Sequence, residues 1–247
     1  MSLHADAECN SDATACWYTF KAAIPADAKG SWSVGIEGRM EQKIYAGTLV
    51  EQTVRDAGIN KVIAFSVDGS KVVARRAAVS TANCNNCHSF LALHGGNRNQ
   101  VEQCVLCHNP VQNDGGTPAR TIDFRVLVHK IHTGEELGAP YKWGSTDFAE
   151  VRYPALSPSG SGGDRRNCAM CHVNSSERLP LSAGHANVKD PSAYFSPMGP
   201  ATAACLSCHV SVEAASHALL NTSSLGESCS VCHGSSSDFS VSKVHAR

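Results

Sequence analysis

Five times in this 247-residue chain, two cysteines stand three positions apart with a histidine directly after the second. The triplets are Cys84, Cys87 and His88; Cys104, Cys107 and His108; Cys168, Cys171 and His172; Cys205, Cys208 and His209; Cys229, Cys232 and His233. Thiols at this spacing can reach the two vinyl groups of one porphyrin and form thioethers. The next residue then presents an imidazole to the iron, and CxxCH is the attachment signal of c-type haem. A four-thiolate zinc site consumes such pairs two at a time, and five is odd. A thioredoxin-like dithiol would be single and set in a βαβ pattern. Neither needs a histidine after every pair. The sequence therefore predicts five haems c, with the ten cysteines as anchors and the five histidines as proximal ligands.

Each iron keeps a second axial position, and seven further histidines are available: His4, His94, His129, His132, His185, His217 and His245. Methionine there would raise the potential. Beyond the initiator only Met40, Met170 and Met198 exist, and Met170 lies inside a motif, so low-potential bis-histidine haems are expected. Thr121 can cap a helix over residues 122–132, with Gly134 just past its end. On that helix His129 and His132 are three apart and share a face, so each can serve a different haem. His94 ends the apolar run 90–93 and is followed by two glycines. His217 falls in a helix-like stretch closed by Asn221, and His245 follows the last motif. The expected distal set is His94, His129, His132, His217 and His245. His185, in a glycine-flanked loop, and His4, near the terminus, stay outside it.

The remaining cysteines, Cys9 and Cys16, have only each other. Haem c is attached outside the cytoplasm, where disulfides persist, so a Cys9–Cys16 bridge is expected as a loop staple. Residues 1–15 contain no apolar stretch that reads as a signal peptide. The exporting signal is then expected to have been removed, or the chain to be part of something longer.

The elements that must carry these residues divide near residue 80. Residues 1–80 hold no haem motif and read as β: Tyr18, Phe20, Ala22 and Ile24 alternate, as do Trp32, Val34 and Ile36. Asp68-Gly69 predicts a hairpin between the runs 62–67 and 72–78. The expectation is a β-sandwich or barrel-like domain, small enough to be truncated. Residues 81–247 then form a pentahaem domain of short helices and loops wrapped around the porphyrins. The porphyrins would replace the core that 6% aromatic residues cannot build. The stretch 157–163, rich in Ser and Gly, is expected to be a surface loop. A formal charge of −1 gives no basic footprint for nucleic acid. No apolar run reaches the roughly 20 residues a transmembrane helix needs.

The runs 84–110, 122–135, 197–209 and 229–245 resemble the outer-membrane decahaem cytochromes of metal-reducing bacteria, the OmcA/MtrC type. Segments 18–26 and 35–39 are similar to the split β-barrel that precedes a haem domain there. The resemblance matches the second half of such a protein, one barrel plus one five-haem domain. It supports the same five distal histidines. The chain departs from the pattern in haem number and in a cysteine pair closer-spaced than the family's disulfide motif. The resemblance implies a place at the outer-membrane surface or outside the cell, redox partners in an outer-membrane conduit, and ferric minerals, flavins or soluble metal as acceptors.

Three functions follow for comparison. An electron conduit, rather than an enzyme in the usual sense, needs both axial sites filled on every iron; extracellular metal reduction would be its only activity. A multihaem reductase of a small oxyanion needs one open iron, often marked by CxxCK, a motif missing from this sequence. A docking role is the third possibility for residues 1–80.

Overall fold

The computed structural model describes residues 7–153 and 165–245; His4 and the whole loop expected at 157–163 lie outside them. The chain forms two compact units, one of residues 1–76 with 92–103, the other of 77–91 with 104–247.

In the first unit β1 (Glu8–Cys9) pairs antiparallel with β2 (Cys16–Trp17), Cys9 opposite Cys16, and the expected disulfide joins them. β3 (Ser31–Ile36) pairs antiparallel with β6 (Lys61–Ser66), and β4 (Arg39–Ile44) with β5 (Gln52–Ala57). Ile36 faces Lys61 while Arg39 faces Ala57, so residues 37–38 oppose residues 58–60. That one-residue excess is a bulge joining two ladders into one long two-stranded ribbon, and Gly58 N–H donates to the Gly38 carbonyl across it.

Two expectations are corrected here. No closed barrel or sandwich forms among the described residues; the strands pair only two by two, and β4 is exposed along its whole length. Nor is there a hairpin at Asp68-Gly69. β6 takes its partner from β3, thirty residues upstream, and the Asp68 carboxylate is used as an acceptor for the Gly30 and Ser70 amides. Residues 18–24 form no strand either.

A two-stranded ribbon is marginal alone, and a side-chain clasp ties it to segment 92–103. Asn60 N–H donates to Asn99 Oδ1 at 3.1 Å, and Asn99 N–H returns the bond to Asn60 Oδ1 at 2.8 Å. Asn60 Nδ2 reaches the Asn97 carbonyl and Asn99 Nδ2 the Gly58 carbonyl at the bulge. Both asparagines are buried, and an Arg98–Glu37 ion pair lies nearby.

The second unit is short helices joined by long irregular segments. α1 (Thr81–His88) holds the first motif, its start capped by Ser80 Oγ on Asn83 N–H. α2 (Val101–Cys107) runs into the second motif. α3 spans Phe124–Thr133, two residues later than Thr121 capping implies. The cap is Asp123, whose carboxylate accepts from the Arg125 and Val126 amides, while Thr121 Oγ1 accepts from Asp123 N–H. A carboxylate suits the positive helix N-terminus better than a hydroxyl does. α3 stops at Gly134, φ 57°, where a Cβ would run into the Val151 carbonyl. α4 (Pro200–Cys205), α5 (Val212–Leu220), α6 (Ser230–His233) and α7 (Val241–Val244) follow. α5 has the bounds expected for the His217 helix, with Ser211 as its cap.

The apolar cluster is small: Val126 of α3, Val188, Met198 and Ala203 of α4, with Phe195 and Leu206 packed against it. Meanwhile Phe90, Leu219, Leu220, Val231 and Phe239, all beside or inside CxxCH motifs or their histidine partners, are exposed.

Candidate haem-binding site

α3 packs Val126 into the core and presents His129 and His132 to two cysteine motifs. His132 lies opposite His88, ring centroids 6.1 Å apart, and His129 lies opposite His172, also at 6.1 Å. One helix thus supplies a histidine to the first motif and another, three residues earlier, to the third.

The C-terminal pair is interleaved. His245 sits 6.1 Å from His209 of the fourth motif, and His217 sits 6.2 Å from His233 of the fifth. The partner of motif four therefore comes after motif five, and the partner of motif five comes before it.

These four separations test whether the residues fit a haem iron. Two metal–imidazole bonds of about 2 Å each, plus a ring radius on either side, make up the observed span. Ordinary aromatic contacts spread over about 4.5–7 Å, as Tyr18–Phe20 at 5.3 Å and Tyr141–Trp143 at 5.9 Å illustrate here. Four histidine pairs agreeing to within 0.1 Å have the spacing of axial ligands across one metal. The exposed apolar side chains around the motifs are surface that a porphyrin would cover. The residues fit the group. No cluster of three or more His, Cys, Asp or Glu side chains that could hold a metal ion gathers among the described residues.

Hydrogen bonds fix which ring nitrogen faces inward. His132 Nδ1 lies 2.8 Å from the Val128 carbonyl, His245 Nδ1 2.9 Å from that of Val241, His108 Nδ1 2.9 Å from that of Ile122, and His233 Nδ1 2.9 Å from that of Phe239. With Nδ1–H donated to a carbonyl, Nε2 is left as the metal-facing lone pair. His172 Nδ1 instead meets Ser176 Oγ at 2.9 Å, and that hydroxyl donates to the Ala78 carbonyl at 2.6 Å. His129 Nδ1 is sealed from solvent and has no partner. Burial, reinforced by His172 and His132, pushes His129 down to about 4. Burial also lowers His132 and His209, with His88 and His245 respectively adding to it. These imidazoles are therefore neutral at pH 7, the form a metal binds.

Several motifs lie near enough to influence one another's thiols. Burial raises the Cys84 thiol, and the nearby Cys104 raises it further; Cys171 is raised by burial and then by Cys84 and Cys87. Cys168 is raised by burial and Glu177, with a contribution from Cys208; Cys205 is pushed up to about 11 by burial and then by Cys229. Motif two thus lies near one, one near three, three near four, and four near five. Specific contacts hold this sequence in place. Asn83 Nδ2 donates to the Cys171 carbonyl, and residue 79 forms a β-bridge with His172. Thr133 Oγ1 meets Cys208 Sγ at 3.2 Å and the His129 carbonyl at 2.8 Å. Glu227, two residues before motif five, caps α4 of motif four by accepting from Ala201 N–H at 2.8 Å and Thr202 N–H at 2.7 Å. Gly199 is needed there, because a Cβ would meet the Glu227 side chain.

His94 stands at φ 52° in a turn closed by the Leu93–Arg98 bridge, in the segment clasped to the ribbon; the run before it is not helical. His185 is half-buried in an irregular segment. Sequence reasoning missed Ser176, Thr133 and Glu227, polar residues that only long-range packing brings to the motifs.

Among the described residues no helix is long and apolar enough to cross a membrane. No curated protein is similar enough to this sequence to count as a match. Residues 76–246 match the family described as outer membrane cytochrome MtrC/MtrF-like, domains II/IV, which implies c-type haem binding and electron transfer, and the chain belongs to that family.

Proposed function

We propose that the chain binds five haems c, each with two axial histidines, and conducts electrons toward extracellular acceptors such as ferric minerals, flavins or soluble metal. Residues 81–247 form the pentahaem domain, and residues 1–80 a β-rich domain. The observation that carries this reading is the set of four histidine pairs at 6.1–6.2 Å.

Haem, when bound, supplies a reversible one-electron couple. The chain's own residues do the rest. Cysteine pairs anchor each porphyrin covalently, so it stays in place in the open. Paired imidazoles occupy both axial positions, which excludes small ligands and favours outer-sphere transfer over catalysis at the metal. Nδ1 hydrogen bonds orient the rings and raise ligand basicity, holding potentials low. The proximity of motif two to one, one to three, three to four and four to five supports a continuous path. His94 completes the distal set with His129, His132, His217 and His245.

Low-temperature EPR with iron and pyridine haemochrome quantitation tests the proposal. Five haems per chain, all low-spin and inert to cyanide, are expected. A high-spin haem that binds cyanide in one iron of five would replace the conduit with a reductase, and fewer than five haems would refute the count.

A further inference from the structure

The four histidine pairs differ in ways that bear on where an electron rests. His129 and His172 are nearly parallel, 18° between ring planes, whereas the other pairs stand at 88°, 59° and 86°. The same pair is unlike the others in its hydrogen bonds. His132, His245 and His233 each direct Nδ1 at a backbone carbonyl. His129 Nδ1 is buried with no acceptor. His172 Nδ1 meets the neutral hydroxyl of Ser176, whose own proton is committed to the Ala78 carbonyl.

We propose that the haem between His129 and His172 has a higher potential than those of motifs one, four and five, and that Ser176 is a positioning residue that tunes it. This rests on the bis-histidine reading above. An Nδ1–H donated to a strong acceptor makes the imidazole more electron-rich and stabilises the ferric ion. At this pair that donation is missing on one side and weak on the other. Exclusion of water also disfavours the additional charge of the ferric state. Near-parallel ligand planes act in the opposite direction, by splitting the ferric d orbitals. That splitting is a small electronic correction, whereas desolvation acts on a whole unit of charge.

Ring orientation also supplies the label for the test. Parallel imidazoles lift the near-degeneracy of the iron d orbitals and give a rhombic low-spin EPR signal; strongly inclined planes give a large-gmax signal. In an EPR-monitored redox titration of the full holoprotein, a rhombic signal should vanish before the large-gmax signals as the potential is lowered. Ser176→Ala should move that component, alone, to still higher potential, and Ser176→Thr should restore it. Rhombic signals that all outlast the large-gmax ones, or a Ser176→Ala shift in a different component, would overturn the proposal. Should Ser176→Ala not fold, the wild-type titration decides by itself. Failure of the bis-histidine reading would look different, as a high-spin signal before any titration begins.

Discussion

Removing the Glu227 carboxylate tests whether motifs four and five are held together as described. Its two oxygens satisfy the amides of Ala201 and Thr202, which are 5% and 2% exposed, and Glu227→Ala removes both acceptors at once. Each orphaned buried donor costs roughly 1–3 kcal/mol, and the lost charge at the α4 N-terminus adds a few tenths to about 1 kcal/mol. Relaxation of a six-residue helix recovers part of this, so the expected loss is about 2–4 kcal/mol. Glu227→Gln keeps one acceptor oxygen and turns an NH2 toward the other amide, and should lose roughly half as much. The assay is guanidinium unfolding of the holoprotein followed at the Soret band, with the slope compared to confirm an unchanged transition. A loss below about 0.5 kcal/mol for Glu227→Ala, or equal losses for the two variants, would refute the capping argument.

Four further outcomes are expected. His245→Ala and His217→Ala should each convert one haem of five to a high-spin, cyanide-binding form, and a double variant should convert two; EPR and cyanide titration read this directly. Thr133→Val, nearly isosteric, removes the hydroxyl bonded to the His129 carbonyl and Cys208 Sγ. It should destabilise by about 1 kcal/mol in the same unfolding assay without changing haem content. Asn60→Ala leaves the Asn99 amide and the Asn97 carbonyl without their partners, and should weaken amide protection in β3 and β6 by roughly 2–4 kcal/mol while α3 amides keep theirs. Hydrogen bonds from Ser70 and from the Gly30 amide hold the Asp68 carboxyl below its usual range. Their contribution is therefore complete above the ordinary carboxylate pKa of about 4 and is lost as pH falls through the depressed value. Exchange protection in the ribbon should drop on acidification, and Asp68→Asn should flatten that dependence.

Short-range features were legible in the sequence; features made by residues far apart were not. The CxxCH triplets declare their chemistry within five residues, and Val212–Leu220 carries its cap, periodicity and stop locally. α3 was legible except at its start, where Thr121 and Asp123 are both good caps and the carboxylate prevails. The ribbon was not legible, because Asp68-Gly69 has hairpin chemistry and nothing local reveals that β3 has already claimed β6. The alternation at residues 18–24 also misled, since without a partner strand it makes no ladder. The Ser176 relay, the Glu227 cap and the Asn60–Asn99 clasp each join residues that sequence spacing cannot associate.

The interleaving of His217 and His245 explains why so thin a core can hold together. A distal histidine next to its own motif would close a small loop and leave neighbouring haems independent. Here His245 reaches back across motif five to His209, and His217 reaches forward to His233. α3 serves the first and third motifs at once. Each axial bond would then close a loop through another haem's territory, which restricts the unfolded chain more than local closure does. Distances between neighbouring irons would be set by the covalent geometry of helices carrying two ligands, not by side-chain packing. Because transfer rates depend on those distances, ligands shared between motifs keep a conduction path constant where only Val126, Val188, Met198 and Ala203 form a buried apolar cluster.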